Sequence, residues 1–417
     1  MARRRRRGGG RRRGRGGNFS SYISFILVAA LSIGVLTAIS KRCELFDVGC
    51  PTQYVQRSEH DLFILDPTAH ENAQESTTLK IYDRLSEPFG TYVNSEGKLV
   101  PENGISVPAE VTVIIISGTT NINQKVEIVT SSDINLVWSK VVGRANVGRA
   151  HDIYNAFLSP QSEIWRTVTE LYFSETSNKP GVSECIDDLT AKSANLEISG
   201  GTYKQALGSL NAEASGGAQG AWTALCTFGS HTRSELDRVN TQLDSSALLC
   251  EDSSAKQEDK CSDIPGAISL LSSIIAEKEK WMSEGNSERG LREAVVCAYF
   301  GSDMMTNSYQ YPEDSQLDIK GMIHQKKYPR DSFEADALAR SARLQLMKDD
   351  FSNSTVRISV YSPMIGNIKN SNSRVLDASA RNFLNEYWTS FFDDAYGSKL
   401  RLSSTGCEGN EFQGESR

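Results

Sequence analysis

The sequence predicts an α/β protein: a doubly wound, mostly parallel sheet with a helical, disulfide-tied insertion, preceded by a transmembrane helix. Three observations predict it. The apolar runs "VTVIII" (residues 111–116) and "LREAVVCAYF" (residues 291–300) are nearly continuous, as strands covered on both faces require. Such runs alternate along the chain with amphipathic stretches, the order of a parallel sheet, and right-handed crossovers place helices on both sides of it. Both runs empty into short polar side chains, "SGTTN" and "SDMMTN". The carboxyl ends of central strands are where open α/β sheets hold ligands.

The chain begins with a tail, residues 1–18, whose first 17 residues hold nine arginines and no acid. It cannot bury enough apolar surface to fold alone. Residues 19–40 follow, almost all of them the uncharged stretch "FSSYISFILVAALSIGVLTAI", close to the ~20 residues that cross a bilayer as a helix. Arginines before the span outnumber the two basic residues after it, so the N-terminus is expected inside. A cleavable signal would have a shorter apolar segment and an A-x-A site, so the span is expected to stay as an anchor. Beside it, the arginines suit anionic lipid head groups.

Residues 1–42 contribute +11 to a net charge of −7, leaving −18 on the rest. Such an ectodomain does not grip nucleic acid. Its first part, residues 41–106, is polar and turn-rich and reads as a stalk with one short strand at "LKIYD". The domain proper is expected over residues 107–405, before a disordered tail at 406–417.

Within that domain, "VTVIII" is the first strong strand. Ile122, Val126, Val129, Leu136 and Val141 then recur at helical spacing. A second strand is expected at "AHDIYNAFL" (residues 150–158), followed by a helix opened by Ser159-Pro160. Residues 175–262 are rich in Ser, Gly and Ala and form the insertion. "SDIPGAISLLSSIIAEKEKW" reads as a helix capped by Asp263 or Ser262, with Pro265 near its first turn. After "LREAVVCAYF" come a helix at "SFEADALARSARLQLMKDDF", a strand at "STVRISVYSPMI", a helix at "DASARNFLNEYWTSFFDDAYG" and a last strand at "SKLRLSS".

All eight cysteines lie beyond the apolar span, and an even count in an exported region suggests disulfides. Cys43 with Cys50, and Cys250 with Cys261, would each close a short polar loop. Cys297 reads as a buried small hydrophobe. There is no CxxC pair and no histidine cluster, which argues against zinc. No G-x-S-x-G, P-loop or H-E-x-x-H string occurs, so an enzyme is not expected.

The strings "VTVIIISGTTNINQK", "SDIPGAISLLSSI", "SDMMTNSYQY" and "EYWTSFFDDAYG" together resemble the von Willebrand factor type A fold, over about residues 107–404. More narrowly, they resemble membrane-anchored bacterial proteins of that fold. The resemblance implies a divalent cation at the strand ends. Its ligands would be an acid and two hydroxyls from the first strand loop, a hydroxyl from a second loop, and an acid after the fourth strand.

Carried onto this chain, the ligands are Ser117 and Thr119, with Asp303 after the later strand and Asp263 beside Ser262 at the helix start. The first-loop acid is missing, so Mg²⁺ would be held weakly and no resident cofactor is expected. The bland alternative makes Ser117 and Thr119 caps and Asp303 a partner of loop amides. Ser117, Thr119, Thr120, Ser302, Asp303 and Asn307 are the partner-binding candidates. Asp303 is expected within a few ångströms of Ser117 and Thr119, on neighbouring strands. The implied function is a single-pass membrane protein whose periplasmic or extracellular domain binds a protein partner or helps assemble a surface complex. A scaffold with no strand-end ligand, or less readily a hydrolase, is the alternative.

Overall fold

The computed structural model describes residues 56–67, 71–87, 109–142, 152–174, 179–196, 201–213, 217–251, 261–283, 291–308, 315–347, 356–361, 378–392 and 400–403. All fall in one compact unit, Tyr54–Arg417. The expected arginine tail, the membrane span and the C-terminal tail lie outside them. Among the described residues, no helix is long and apolar enough to cross a membrane.

One six-stranded sheet organises the unit. Its strands are β1 (Gln56–Leu65), β2 (Ala109–Ile115), β3 (Lys125–Val129), β4 (Leu291–Gly301), β5 (Val356–Tyr361) and β6 (Leu400–Ser403). The spatial order is β3-β2-β1-β4-β5-β6, and every neighbouring pair is parallel except β2 with β3. The order reverses between β1 and β4. That crevice, outside the carboxyl ends of the two central strands, is the switch point where this class of sheet binds ligands.

The centre of the sheet is β1, inside what reads in the sequence as a stalk. Its first half is charged, and only Leu62–Leu65 is continuously apolar. Arg84 explains how the charges are tolerated: its guanidinium donates to Glu59 at 2.6 Å and is also paired with Asp61. Arg84 lies on α1 (Glu71–Ser86), the helix that follows β1. "LKIYD" belongs to this helix rather than to a strand. Thr77, Ile81 and Leu85, four residues apart, are its buried face, and burial along that stripe overrides the weak strand propensity.

Two further segments differ from the sequence reading. The stretch after β2 is not one helix. Val126 and Ile128 are buried on either side of exposed Glu127, the alternation of a strand with one face on the core; β3 lies at the sheet edge, and only then does α2 (Ser131–Val141) begin. Thr130 caps it, accepting from the Asp133 amide while Asp133 reaches back to the Thr130 amide. Within "AHDIYNAFL", the described residues 152–158 are helical, ending in a wide turn at Tyr154–Leu158, because Ile153, Tyr154, Phe157 and Leu158 bury at helical spacing. The next helix, α3 (Glu163–Tyr172), starts from Ser162 rather than Ser159-Pro160.

The insertion contributes α4 (Val182–Leu196), α5 (Gly201–Glu213) and the long α6 (Gly217–Glu251). These helices are part of the body. With α1, α2 and α3 they bury one face of β1, β2 and β3 in a cluster that includes Phe63, Val113, Trp165, Trp222 and Leu225. Cys185 and Cys226 form a disulfide joining α4 to α6, so it ties helices rather than loops. Cys43 and Cys50, and the side chains of Cys250 and Cys261, lie outside the described residues.

The opposite face is covered by α7 (Ile264–Ser283), α8 (Ile319–His324), α9 (Ser332–Leu346) and α10 (Ala378–Phe392). Phe383, Tyr387, Trp388 and Phe391 of α10 all face this core, as their spacing in sequence indicates. A two-residue antiparallel ladder, Cys261–Ser262 with Asn307–Ser308, fastens the start of α7 to the segment leaving β4.

Candidate functional site at the switch point

Two polar constellations stand at the carboxyl ends of the strands. The first joins the loop after β2 to the start of α7. Ser117 closes that loop on itself, its hydroxyl donating to the Thr119 carbonyl at 2.9 Å and its amide to Thr120 Oγ1 at 3.1 Å. Asp263, fully buried, caps α7 by accepting the Gly266 amide at 3.0 Å. Its other oxygen accepts the Thr120 amide at 2.8 Å, and its own amide donates to the Ser117 carbonyl at 3.0 Å. A Cβ on Gly266 would stand 2.4 Å from the Asp263 carboxylate and 2.7 Å from the Thr120 carbonyl, so only glycine fits. Burial pushes the Asp263 carboxyl up, and the two amides pull it back. Ser117, Thr119, Thr120 and Asp263 thus form a lock between loop and helix, with both Asp263 oxygens committed to backbone.

The second constellation is at β1 and β4. Asp66 follows β1, is fully buried, and donates its amide to the Gly301 carbonyl at 3.2 Å. Ser302, also fully buried, donates its hydroxyl to Asp66 Oδ2 at 2.9 Å across 236 residues of sequence, and accepts the Met304 amide at 3.1 Å. Asp303 accepts one amide, that of Met305, at 2.9 Å. Met304 adopts a left-handed conformation with φ 59°, and its carbonyl accepts Trp388 Nε1 at 2.9 Å. This pins the sharp exit of the chain from β4 to the aromatic helix behind it.

Desolvation pushes the Asp303 carboxyl up to about 7, the Asp66 charge adds to this, and the Met305 amide and Lys320 oppose it. A second acid beside a desolvated one is an arrangement that favours a shared proton or a cation.

Asp303 and Ser117 do not lie on neighbouring strands: β1 runs between them. Two strand spacings put their strand ends about 10 Å apart. The acid beside Ser302 and Asp303 is Asp66, which follows β1 and lies within what reads in the sequence as the stalk. Thr68 and His70, which follow it, lie outside the described residues, as does the side chain of Asn307. The clue in the sequence was "LFILD": an apolar run ending in an acid, like "AYFGSD" after β4.

Two carboxylates and a hydroxyl are hard oxygen donors of the kind Mg²⁺ or Ca²⁺ takes. Among the described residues, no group of three His, Cys, Asp or Glu side chains converges. A cation here would therefore rely on Asp66 and Asp303, with the Ser302 hydroxyl beside them. The same acids repel phosphate, and no glycine-rich turn follows β1, so the switch point does not suit a dinucleotide despite the strand order. No family model, curated protein or solved structure matches this chain.

Proposed function

We propose that the chain is a membrane-anchored protein whose von Willebrand A-like domain binds a protein partner outside the cytoplasm, through the β1 and β4 strand ends. The reading rests on one observation above the rest: Asp66 and Asp303, carried by the two central strands, stand together at the switch point. The reversed strand order and the antiparallel edge strand β3 also support it. In this reading Asp66 and Asp303 hold a divalent cation, whose charge would serve to take an acidic group of the partner. Ser302 keeps Asp66 in place, while Ser117, Thr119 and Thr120 shape the neighbouring rim without touching the cation.

The test is calorimetric and then interactive. Mg²⁺ or Mn²⁺ titrated into the ectodomain at pH 8 should give saturable heat, abolished by Asp66→Asn and by Asp303→Asn. Partners retained on the immobilised ectodomain with Mg²⁺ should be released by chelator. No saturable heat in the wild-type protein would sink the cation, and capture insensitive to chelator and to both variants would sink this surface as the binding site.

A further inference from the structure

The sheet has a second polar region at its other end, where the amino ends of β1 and β2 pass beneath the last turns of α7. On this face the strands carry Leu62, Ile64, Ile114 and Ile116 higher up, all fully buried. Toward the amino end the same face changes to His60, Glu110 and Thr112, and a cavity of about 240 Å³ opens there. Lys278 and Trp281 of α7 form one wall, and the first residues of α2 another.

These groups are costly to bury. His60 is 7% exposed and Lys278 8%, and aliphatic side chains at both places would simply extend the core. Lys278 is ion-paired with Glu110, and its ammonium stands 5.4 Å from the Trp281 ring centre. His60 Nε2 shares a hydrogen bond with Thr112 Oγ1 at 2.8 Å. Its other ring nitrogen, Nδ1, is buried and has no hydrogen-bond partner, the Glu110 carboxylate at 3.4 Å failing to complete one. Opposite lies the amino end of α2, an eleven-residue helix. Thr130 serves the Asp133 amide, while the Ser131 and Ser132 amides have no acceptor within the helix. They carry the positive end of its dipole.

We propose that this cavity binds a small organic carboxylate bearing a second polar group, such as a 2-hydroxy or 2-amino acid. The carboxylate sits between the Ser131 and Ser132 amides and the Lys278 ammonium, the second polar group meets His60 Nδ1, and the carbon skeleton lies on Trp281. A phosphate or sulfate fits less well, since Glu110, Glu127 and Glu277 line the same space and would repel a dianion more strongly than a single carboxylate. The volume, below the ~300 Å³ where drug-sized pockets begin, matches a metabolite of this size.

The experiment is calorimetry of the ectodomain with L-lactate, glycine and inorganic phosphate. At least one of the first two should bind saturably, and more tightly than phosphate. Ser131→Pro removes one amide donor at a first-turn position that favours proline, after a Thr130 already extended at ψ 160°, so the helix is kept. It should weaken binding about tenfold, the scale of one charge-assisted hydrogen bond. Lys278→Met with Glu110→Leu, which removes the pair without leaving a lone buried charge, should abolish binding. Asp303→Asn should leave it unchanged, which separates this cavity from the switch point. Absence of saturable heat from both organic acids, tighter binding of phosphate, or binding indifferent to Ser131→Pro and to the double variant would each overturn the proposal.

Discussion

Asp263 and Asp303 are both aspartates at the carboxyl end of one sheet, and both carboxyl groups are pushed up by burial, yet their surroundings differ in kind. Asp263 gives each oxygen a backbone amide and joins a loop to a helix 143 residues away in sequence. Asp303 has one amide and a second acid for a neighbour. The first is a finished structural joint. The second is a strained pair of like charges that a proton, a cation or a partner's cationic group would relieve. Burial alone does not separate the two aspartates; what their oxygens meet does.

The contrast can be broken most forcefully at the joint. Asp263→Ala removes the cap and leaves the Thr120 and Gly266 amides without acceptors, a loss of roughly 3 kcal/mol or more. Urea unfolding should show a lowered midpoint with little change in slope. If stability barely moves, the joint is ornamental and the comparison fails.

Acidity gives the next largest effect and has a definite sign. The Asp303 carboxyl is raised in the folded chain to about 7 from 3.8, so the native state holds a proton that the unfolded state has lost. Its contribution to stability is therefore present below about pH 4 and lost as pH rises toward 7, over a span on the order of a few kcal/mol. Asp303→Asn should flatten this part of the pH profile and melt above the wild type at pH 8. A variant that melts below wild type at that pH would mean that the carboxylate is a structural anchor like Asp263.

Added Mg²⁺ sharpens the same point. At pH 8 it should raise the melting temperature of the wild type by a few degrees and leave Asp66→Asn and Asp303→Asn unmoved. At pH 5 the gain should shrink, because a proton competes for Asp303. An equal shift in all three proteins would indicate a nonspecific salt effect. Last and smallest, Thr119→Ala changes an exposed loop residue and should cost no more than about 0.5 kcal/mol.

Much of the fold was legible. The runs that became β2 and β4 are nearly continuous in apolar residues, β5 is rich in β-branched ones, and α7 and α10 carry their caps or aromatic stripes in plain sequence. The site was half legible: Ser302 and Asp303 stand out after β4, whereas Asp66 was hidden. Its strand carries Glu59, His60 and Asp61 ahead of the apolar run, and these read as solvent-facing until Arg84 and Thr112, distant in sequence, are brought against them. Ser117 and Thr119 drew attention because hydroxyls after a strand look alike whether they bind or merely close a turn. The insertion was legible as helical, but nothing local says that Trp222 and Leu225 belong to the core beneath the sheet.

The place of β1 in the sheet has a consequence for how the chain is made. Its two neighbours are not synthesised together: β2 begins at Ala109, whereas β4 begins only at Leu291. At about 5–20 residues per second, the ribosome delivers β4 roughly 10–50 s after β1. Through that interval the central strand can pair on one side only, with Leu62–Leu65 at an open edge. A nascent chain halted before Leu291 is thus expected to be the form most prone to aggregate or to engage chaperones, and release beyond β4 should end that vulnerability.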